Sequence, residues 1–506
     1  MRDAPPSEAP PSEASPSHAD DSLDDAGPGY FASVTVRLGS LQPETVLSTP
    51  PAGVRGFWQS GARWIAHAGS AAEINAGDRA RVAAPEADLI TWTIAEARRI
   101  YSSPWVFDLD GDARRPRFHG GFAFDLTETP AETPATGRAE TPATGPAETL
   151  ATGDDPGFWE AFPRARFTLP AFEVEVGPGG GRLTVTRRMP EDTPRDQAID
   201  ELRLRADRTR ERLLSLERAG ATPGDVPSAT SIDEPVDTDE WRGGIERILR
   251  DIETGSVRKV VLARPLDVAL AEVPDSASVL QALRSSNPLA HTYLVQFAHD
   301  RFLLGAAPEL IGRLEGGRFQ TMAVAGSIPR GADPEADEWL GRQLMGSRKN
   351  LVEHQIVVED ISEHLASAGV QLGSPPEPEL LRLPRIQHLR TELEATVEKG
   401  THILALVRAL HPTAAVCGYP RPAAHAILAE EENVPRGWYA GPVGWFDERG
   451  EGEFAPALRS AVARGPLLRL YAGSGIVEGS DPGAEWDETR VKFQTMLQAL
   501  AVGRVP

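Results

Sequence analysis

The chain contains four lysines, Lys259, Lys349, Lys399 and Lys492, in a total of 52 Lys and Arg. Arginine stays protonated at any accessible pH, whereas a lysine withdrawn from water can release its proton and act as a base. Lys259 lies in Val257–Arg264 and shares a face with Val261 and Ala263. Either it is an edge-strand lysine with its ammonium in solvent, or it is a desolvated amine serving as a general base. The scarcity of lysine favours the second. Glu309 ends the apolar run Phe302–Ile311, just after Pro308. Such a glutamate is ordinarily an exposed loop residue; partly buried, it would be a general acid. Glu353 is followed one turn on by Ile356 and Val357, and is either a boundary residue or a ligand for a hard cation. His354 beside it has no second histidine four residues away, so the zinc-protease pattern is rejected. Glu485, Glu488 and Lys492 fall at i, i+3 and i+7. They form either a surface pair worth about 0.3–0.5 kcal/mol or a metal-holding carboxylate face with a lysine for an anionic substrate. Helical spacing alone leaves that choice open.

Specific elements must position these groups. Trp241, Ile245, Ile248, Leu249 and Ile252 predict a helix stopped by Gly255, with the Lys259 strand after it. Residues 335–367 read as one helical stretch around Glu353. Leu468–Tyr471 reads as a strand, followed by flexible backbone at Ala472–Val477. Ser480-Asp481-Pro482 starts the last helix. Upstream, Tyr30–Val36 alternates as a strand. Gly177–Gly181 joins Phe172–Val176 to Leu183–Arg187 as a hairpin turn, not a phosphate loop, because no helix follows it. A helix is predicted from about Pro194 to Arg218, and then a Pro/Asp/Ser linker over Thr222–Asp239.

Residues 1–28 have the composition of a disordered acidic tail. An eight-residue Ala/Glu/Thr/Pro repeat makes 126–152 an expanded surface loop. The expected organisation is therefore the tail at 1–28, an N-terminal half at 29–230 and a catalytic segment at 231–506. Against 52 basic residues stand 74 acidic ones, for a net charge of −22. That balance excludes a nucleic-acid groove or an anionic membrane as partner. One cysteine, Cys417, excludes a disulfide framework. It reads as a small buried apolar side chain rather than a catalytic thiol. With no secretory h-region and no apolar run of membrane-spanning length, the chain is expected to be cytoplasmic.

Ten motifs in order carry a resemblance. They are Lys259–Arg264, Gly305–Leu310, Ala325-Gly326-Ser327, Ser347–Val358, His388-Leu389, Leu410–Pro420, Arg436–Trp445, Leu458-Arg459-Ser460, Ala472–Val477 and Glu485–Lys492. As a set the chain resembles the chorismate-utilising enzymes, whose members include anthranilate synthase component I, and within them the isochorismate synthases. The resemblance is dense over about 240–500 and thinner through Phe118–Asp125 and Phe158–Pro163.

It implies an α+β fold, two facing antiparallel sheets in a sandwich with helices outside and the site in a cleft. It implies Mg2+ held by Glu353 and Glu488, with Glu485 acting directly or through water. Chorismate would be bound by Gly326, Ser327, His388, Val416, Tyr439, Arg459, Gly473 and Lys492. Family members that use water have Lys at the Lys259 position, where anthranilate synthases typically have Gln. The implied reaction has Lys259 deprotonating water for attack at C2 while Glu309 protonates the departing C4 hydroxyl. Salicylate synthases, the alternative, tend to have Thr where this chain has Val416. Ala307 replaces a common Ser, which leaves the acid in place. A non-catalytic chorismate sensor would be expected to have lost Lys259, Glu309 or a metal glutamate, and none is missing. Menaquinone synthesis is the expected pathway, with siderophore synthesis the alternative, and a monomer or weak homo-oligomer the expected state.

Overall fold

Alternation along single strands lays out the layers. In Arg301–Ala307, Phe302, Leu304 and Ala306 enter one core while Leu303 and Ala307 enter another. In the computed structural model the described residues are 29–49, 53–76, 88–109, 116–126, 156–159, 161–220 and 223–502. The expected acidic tail at 1–28 and, apart from residue 126, the expected loop at 126–152 lie outside them.

Among the described residues two sheets form. The first has thirteen strands. Its site-bearing end runs Ala229–Asp233, Lys259–Leu270, Leu467–Ile476, Ser460–Arg464, Arg301–Ala307, His291–Ala298, Arg55–Ser60; five more strands from the first 190 residues continue this path, and the short Gly418–Tyr419 pairs with Lys259–Leu270 off it. The second has nine, in the order Glu379–Arg382, Ile386–Thr396, Arg318–Pro329, Gly312–Glu315, Gly452–Pro456, Pro442–Phe446, Phe118–Phe122, Ala165–Leu169, Ala72–Asn75. Both sheets draw strands from either side of residue 230, and Trp58 Nε1 donates to Glu453 across the halves at 2.7 Å.

Three cores define a sandwich. Trp58, Ile65 and Val462 of the first sheet meet Val443, Trp445 and Ala455 of the second between the layers. The outer face of the first sheet packs on helices Arg195–Arg218, Ser276–Ser286 and Pro482–Ala499. That of the second packs on Leu89–Ser102, Arg348–Ser367 and Ile403–Leu410. No helix of the described residues is long and apolar enough to cross a membrane.

The expected α+β sandwich with helices outside is present, with one correction. The first sheet is mixed, because Trp105–Leu109 runs parallel to Gly29–Leu38. The chain returns to that edge only after other strands and the helix Leu89–Ser102, so no hairpin dictates an antiparallel direction. Two local expectations also change. The stretch 335–367 is two helices, Pro334–Gly346 and Arg348–Ser367, because Ser347 leaves helical geometry and caps the second by accepting from the Asn350 amide. The strand at 467 continues through the glycines to Ile476 rather than ending at Tyr471.

Candidate active site

Two neighbouring strands of the first sheet make the floor. Lys259–Leu270 pairs with Leu467–Ile476, setting Val261 opposite Gly475 and Ala263 opposite Gly473. Lys259 is itself paired to Tyr419 on its other side. It therefore stands inside the sheet, 1% exposed, and the solvent-facing edge reading is wrong for it. A Cβ on Gly475 would lie 2.4 Å from Glu353 Oε1 and 2.9 Å from Lys259 Cε. Glycine is what leaves room there for both side chains.

The wall opposite comes from the second layer. Gly326 sits at a register shift opposite Leu389 and His388 with φ +79°, a conformation that favours glycine. The bulge brings Ser327 Oγ to 2.9 Å from His388 Nδ1, with the Gly326 carbonyl at 3.3 Å. Arg459 Nη2 stands 3.2 Å from His388 Nε2. A guanidinium only donates, so Nε2 accepts and Nδ1 carries the hydrogen. Burial, then Arg459 and Lys492, push His388 down to about 3, so it is neutral at working pH. Arg459 is held in the left-handed region at φ +49°, and its carbonyl accepts from the Ala306 amide at 3.3 Å. This ties it to the strand that delivers Glu309. Such a non-glycine residue costs of order 1–3 kcal/mol and marks functional sites.

Glu309 is 6% exposed and not the usual loop glutamate. Burial pushes its carboxyl up to about 7, against the opposing pull of Lys259, Lys492 and Arg459. Its carboxyl makes no hydrogen bond or ion pair with another described residue.

Three carboxylates are each matched to a lysine. Lys259 Nζ lies 3.0 Å from Glu353 Oε1, Lys492 Nζ 2.6 Å from Glu488 Oε1, and Lys349 Nζ 2.6 Å from Glu485 Oε1. Lys492 also donates to the Gly473 carbonyl at 2.7 Å. Burial opposes the charge on Glu488, but Lys492 outweighs it and holds the carboxyl below its ordinary range. Three of the chain's four lysines thus gather here, and Lys349 escaped the sequence reading although its rarity was the available signal.

A cleft of about 670 Å³ brings together every candidate residue except Glu485, along with Pro308, Tyr471 and Gly475. Val416 and Tyr439 line its apolar side. Tyr439 stacks on Tyr471 at 4.9 Å, and burial raises its hydroxyl to about 12, so it remains a donor. Glu485 lies behind the floor, where Ser474 Oγ donates to its second oxygen at 2.5 Å. Cys417 is fully buried, its thiol pushed up to about 11 chiefly by burial, as a packing residue would be.

Among the described residues no three His, Cys, Asp or Glu side chains form a metal-holding group. Two carboxylates on one cleft, Glu353 and Glu488, still fit a hard cation such as Mg2+. That ion takes one or two protein carboxylates and fills its shell with water and substrate oxygens.

Known proteins share this arrangement of chain. A family described as chorismate binding enzyme matches residues 148–501. Isochorismate synthase MenF of Bacillus subtilis is 32% identical over 349 residues, covering 68% of this chain and 71% of that protein. The salicylate biosynthesis isochorismate synthase of Pseudomonas aeruginosa is 39% identical over 262 residues, 52% of this chain and 55% of that one. The solved structure of MenF, the menaquinone-specific isochorismate synthase from Escherichia coli, superposes with a TM-score of 0.71 at 25% identity. It covers 94% of this chain and 97% of that one.

Proposed function

The chain belongs to the chorismate-binding enzyme family, and from that premise we propose that it converts chorismate to isochorismate. The observation that carries the reading is the pairing of Lys259 and Glu309 on one cleft. One is an amine withdrawn from solvent, the other a carboxyl that burial keeps protonated up to about 7. Relatives named isochorismate synthase support the same activity.

Lys259 takes a proton from a water molecule whose oxygen bonds to C2 of chorismate. The double bonds of the ring shift, the C4–oxygen bond breaks, and Glu309 gives its proton to the departing hydroxyl, which leaves as water. One water enters and one leaves, so substrate and product are isomers. A base and an acid acting at opposite ends of one displacement need opposite protonation states, and burial supplies the acid by holding the Glu309 proton. Arg459 and Lys492 attract the two substrate carboxylates, which gives a cationic pocket to a protein of charge −22. Tyr439 and the backbone at Gly473 orient the enolpyruvyl group, while Gly326, Ser327 and His388 shape the opposite wall.

Glu353 and Glu488 would hold Mg2+, which when bound supplies positive charge to the ring carboxylate. Val416, an apolar residue 3% exposed on the cleft, favours stopping at isochorismate over further elimination of pyruvate. Likeness to the two MenF proteins along most of their lengths, one of them described as menaquinone-specific, supports a role in menaquinone synthesis.

Chromatographic product analysis tests this. Purified protein with chorismate and Mg2+, without ammonia or glutamine, is expected to yield isochorismate; Lys259→Ala is expected to yield none, and Glu309→Gln at least about 100-fold less. Salicylate with pyruvate would move the chain to the salicylate synthases, and unchanged chorismate would remove the activity altogether.

A further inference from the structure

We infer that Lys349 is a positioning residue, its ion pair with Glu485 forming a strut between the two layers that sets the spacing of Glu353 and Glu488. Glu485 then acts through Lys349 and not as a ligand of the metal. The inference rests on the functional reading above.

The geometry places the strut symmetrically. Lys349 lies one turn before Glu353 on the helix Arg348–Ser367, which packs on Arg318–Pro329 and Ile386–Thr396 of the second sheet. Glu485 lies one turn before Glu488 on the helix Pro482–Ala499, which packs on Leu467–Ile476 of the first. Residues three and four apart share a helix face. A bond from Lys349 to Glu485 therefore turns the faces bearing Glu353 and Glu488 towards each other. That bond is 2.6 Å long, and the Glu485 side chain is 3% exposed. Its other oxygen is fixed at 2.5 Å by Ser474, which sits on the floor strand beside Gly473 and Gly475. With both oxygens engaged and its place outside the cleft, Glu485 is built to hold an ammonium rather than a cation in the cleft. Burial works against the Lys349 charge, but Glu485 first, then Glu353 and Glu488, outweigh it and raise its pKa. The strut therefore stays charged. Groups that orient metal ligands from behind typically change metal affinity by about 10–100-fold when removed.

The test measures Mg2+ affinity by calorimetry and the Mg2+ concentration for half-maximal chorismate turnover, with Tm in the absence of Mg2+ as the check on folding. Lys349→Ala and Lys349→Gln are expected to weaken Mg2+ binding about ten-fold. The accompanying change in kcat at saturating Mg2+ should be smaller and the metal-free Tm near wild type, while Lys349→Arg should recover most of the affinity. Glu485→Gln is expected to match Lys349→Ala, and the double variant to be no worse than either. Wild-type affinity in Lys349→Ala overturns the strut. Losses that multiply in the double variant would overturn it too, by making Glu485 a ligand in its own right. Wild-type protein that turns over chorismate while Lys349→Ala is unaffected removes the strut alone. Wild-type protein that neither binds Mg2+ nor consumes chorismate removes the functional reading along with it.

Discussion

Lys259 and Glu353 come from different layers of the sandwich and meet at 3.0 Å, one from a strand of the first sheet and the other from a helix packed on the second. Neither side chain is in place unless the layers are correctly apposed, so the fold as a whole, rather than a local loop, sets the site. Lys259 is 1% exposed and Glu353 keeps 13% of its side chain open to the cleft. The proposed base is thus withdrawn from solvent while the carboxylate beside it stays reachable.

The space these two share is tightest at Gly475. In Gly475→Ala the new methyl would press on the ends of two flexible side chains, not on backbone. Overpacking ordinarily costs about 1–3 kcal/mol, and here the low end is expected because Glu353 can swing away. Turnover should fall at least about ten-fold, since misplacing a reacting group by an ångström costs up to about 100-fold. Steady-state kinetics beside a thermal melt check this, and wild-type turnover in a folded Gly475→Ala protein would show that the pair is not needed.

Glu309 carries a trade between activity and stability that depends on pH. Its carboxyl is raised from 4.5 to about 7 in the fold, chiefly by burial. Between those values the native state keeps a proton that the unfolded chain has released, so this contribution to stability is full below 4.5 and lost as pH rises through 7. Gln cannot ionise and escapes the loss. Glu309→Gln should therefore be more stable than wild type at pH 8, by about 3 kcal/mol at most, and equal to it near pH 4. Its turnover should fall by about 100-fold or more. Denaturant melts at the two pH values decide the matter, and a stability difference independent of pH would contradict it.

Arg459 combines a left-handed backbone with a guanidinium set against a neutral His388. Lysine in its place keeps the charge but not the forked geometry that matches a carboxylate. Losing one charged hydrogen bond costs about 1.5–3 kcal/mol, so Arg459→Lys should raise KM for chorismate roughly 10- to 100-fold. A change in kcat with KM untouched would place Arg459 away from the ground-state contacts.

Much of this was legible from residues alone, and the failures have physical reasons. The hairpin at 177–181, the helix ending at Arg218 and the Asp481 cap are local, and they appear where turn and cap chemistry put them. The parallel edge pair of Gly29–Leu38 with Trp105–Leu109 is not local, and nothing in either segment specifies its direction. Glu485 shows the limit of spacing arguments. Three residues before Glu488 it shares a helix face, yet Ser474 and Lys349 engage both Glu485 oxygens while Glu488 lines the cleft. Strand alternation holds the missing clue, because Ser474 must point away from the side that Gly473 and Gly475 leave open. Lys349 was visible as one of four lysines, but nothing in the sequence names its partner 136 residues away.

In the proposed reaction water enters at C2 through Lys259 while the C4 hydroxyl leaves through Glu309. Turnover of chorismate in water enriched in oxygen-18, with the product read by mass spectrometry, tests it most directly. One labelled oxygen per isochorismate is expected, located on the C2 hydroxyl, with formation abolished in Lys259→Ala. Isochorismate formed without label would mean that the original hydroxyl migrates within the substrate, and would contradict the roles given to both residues.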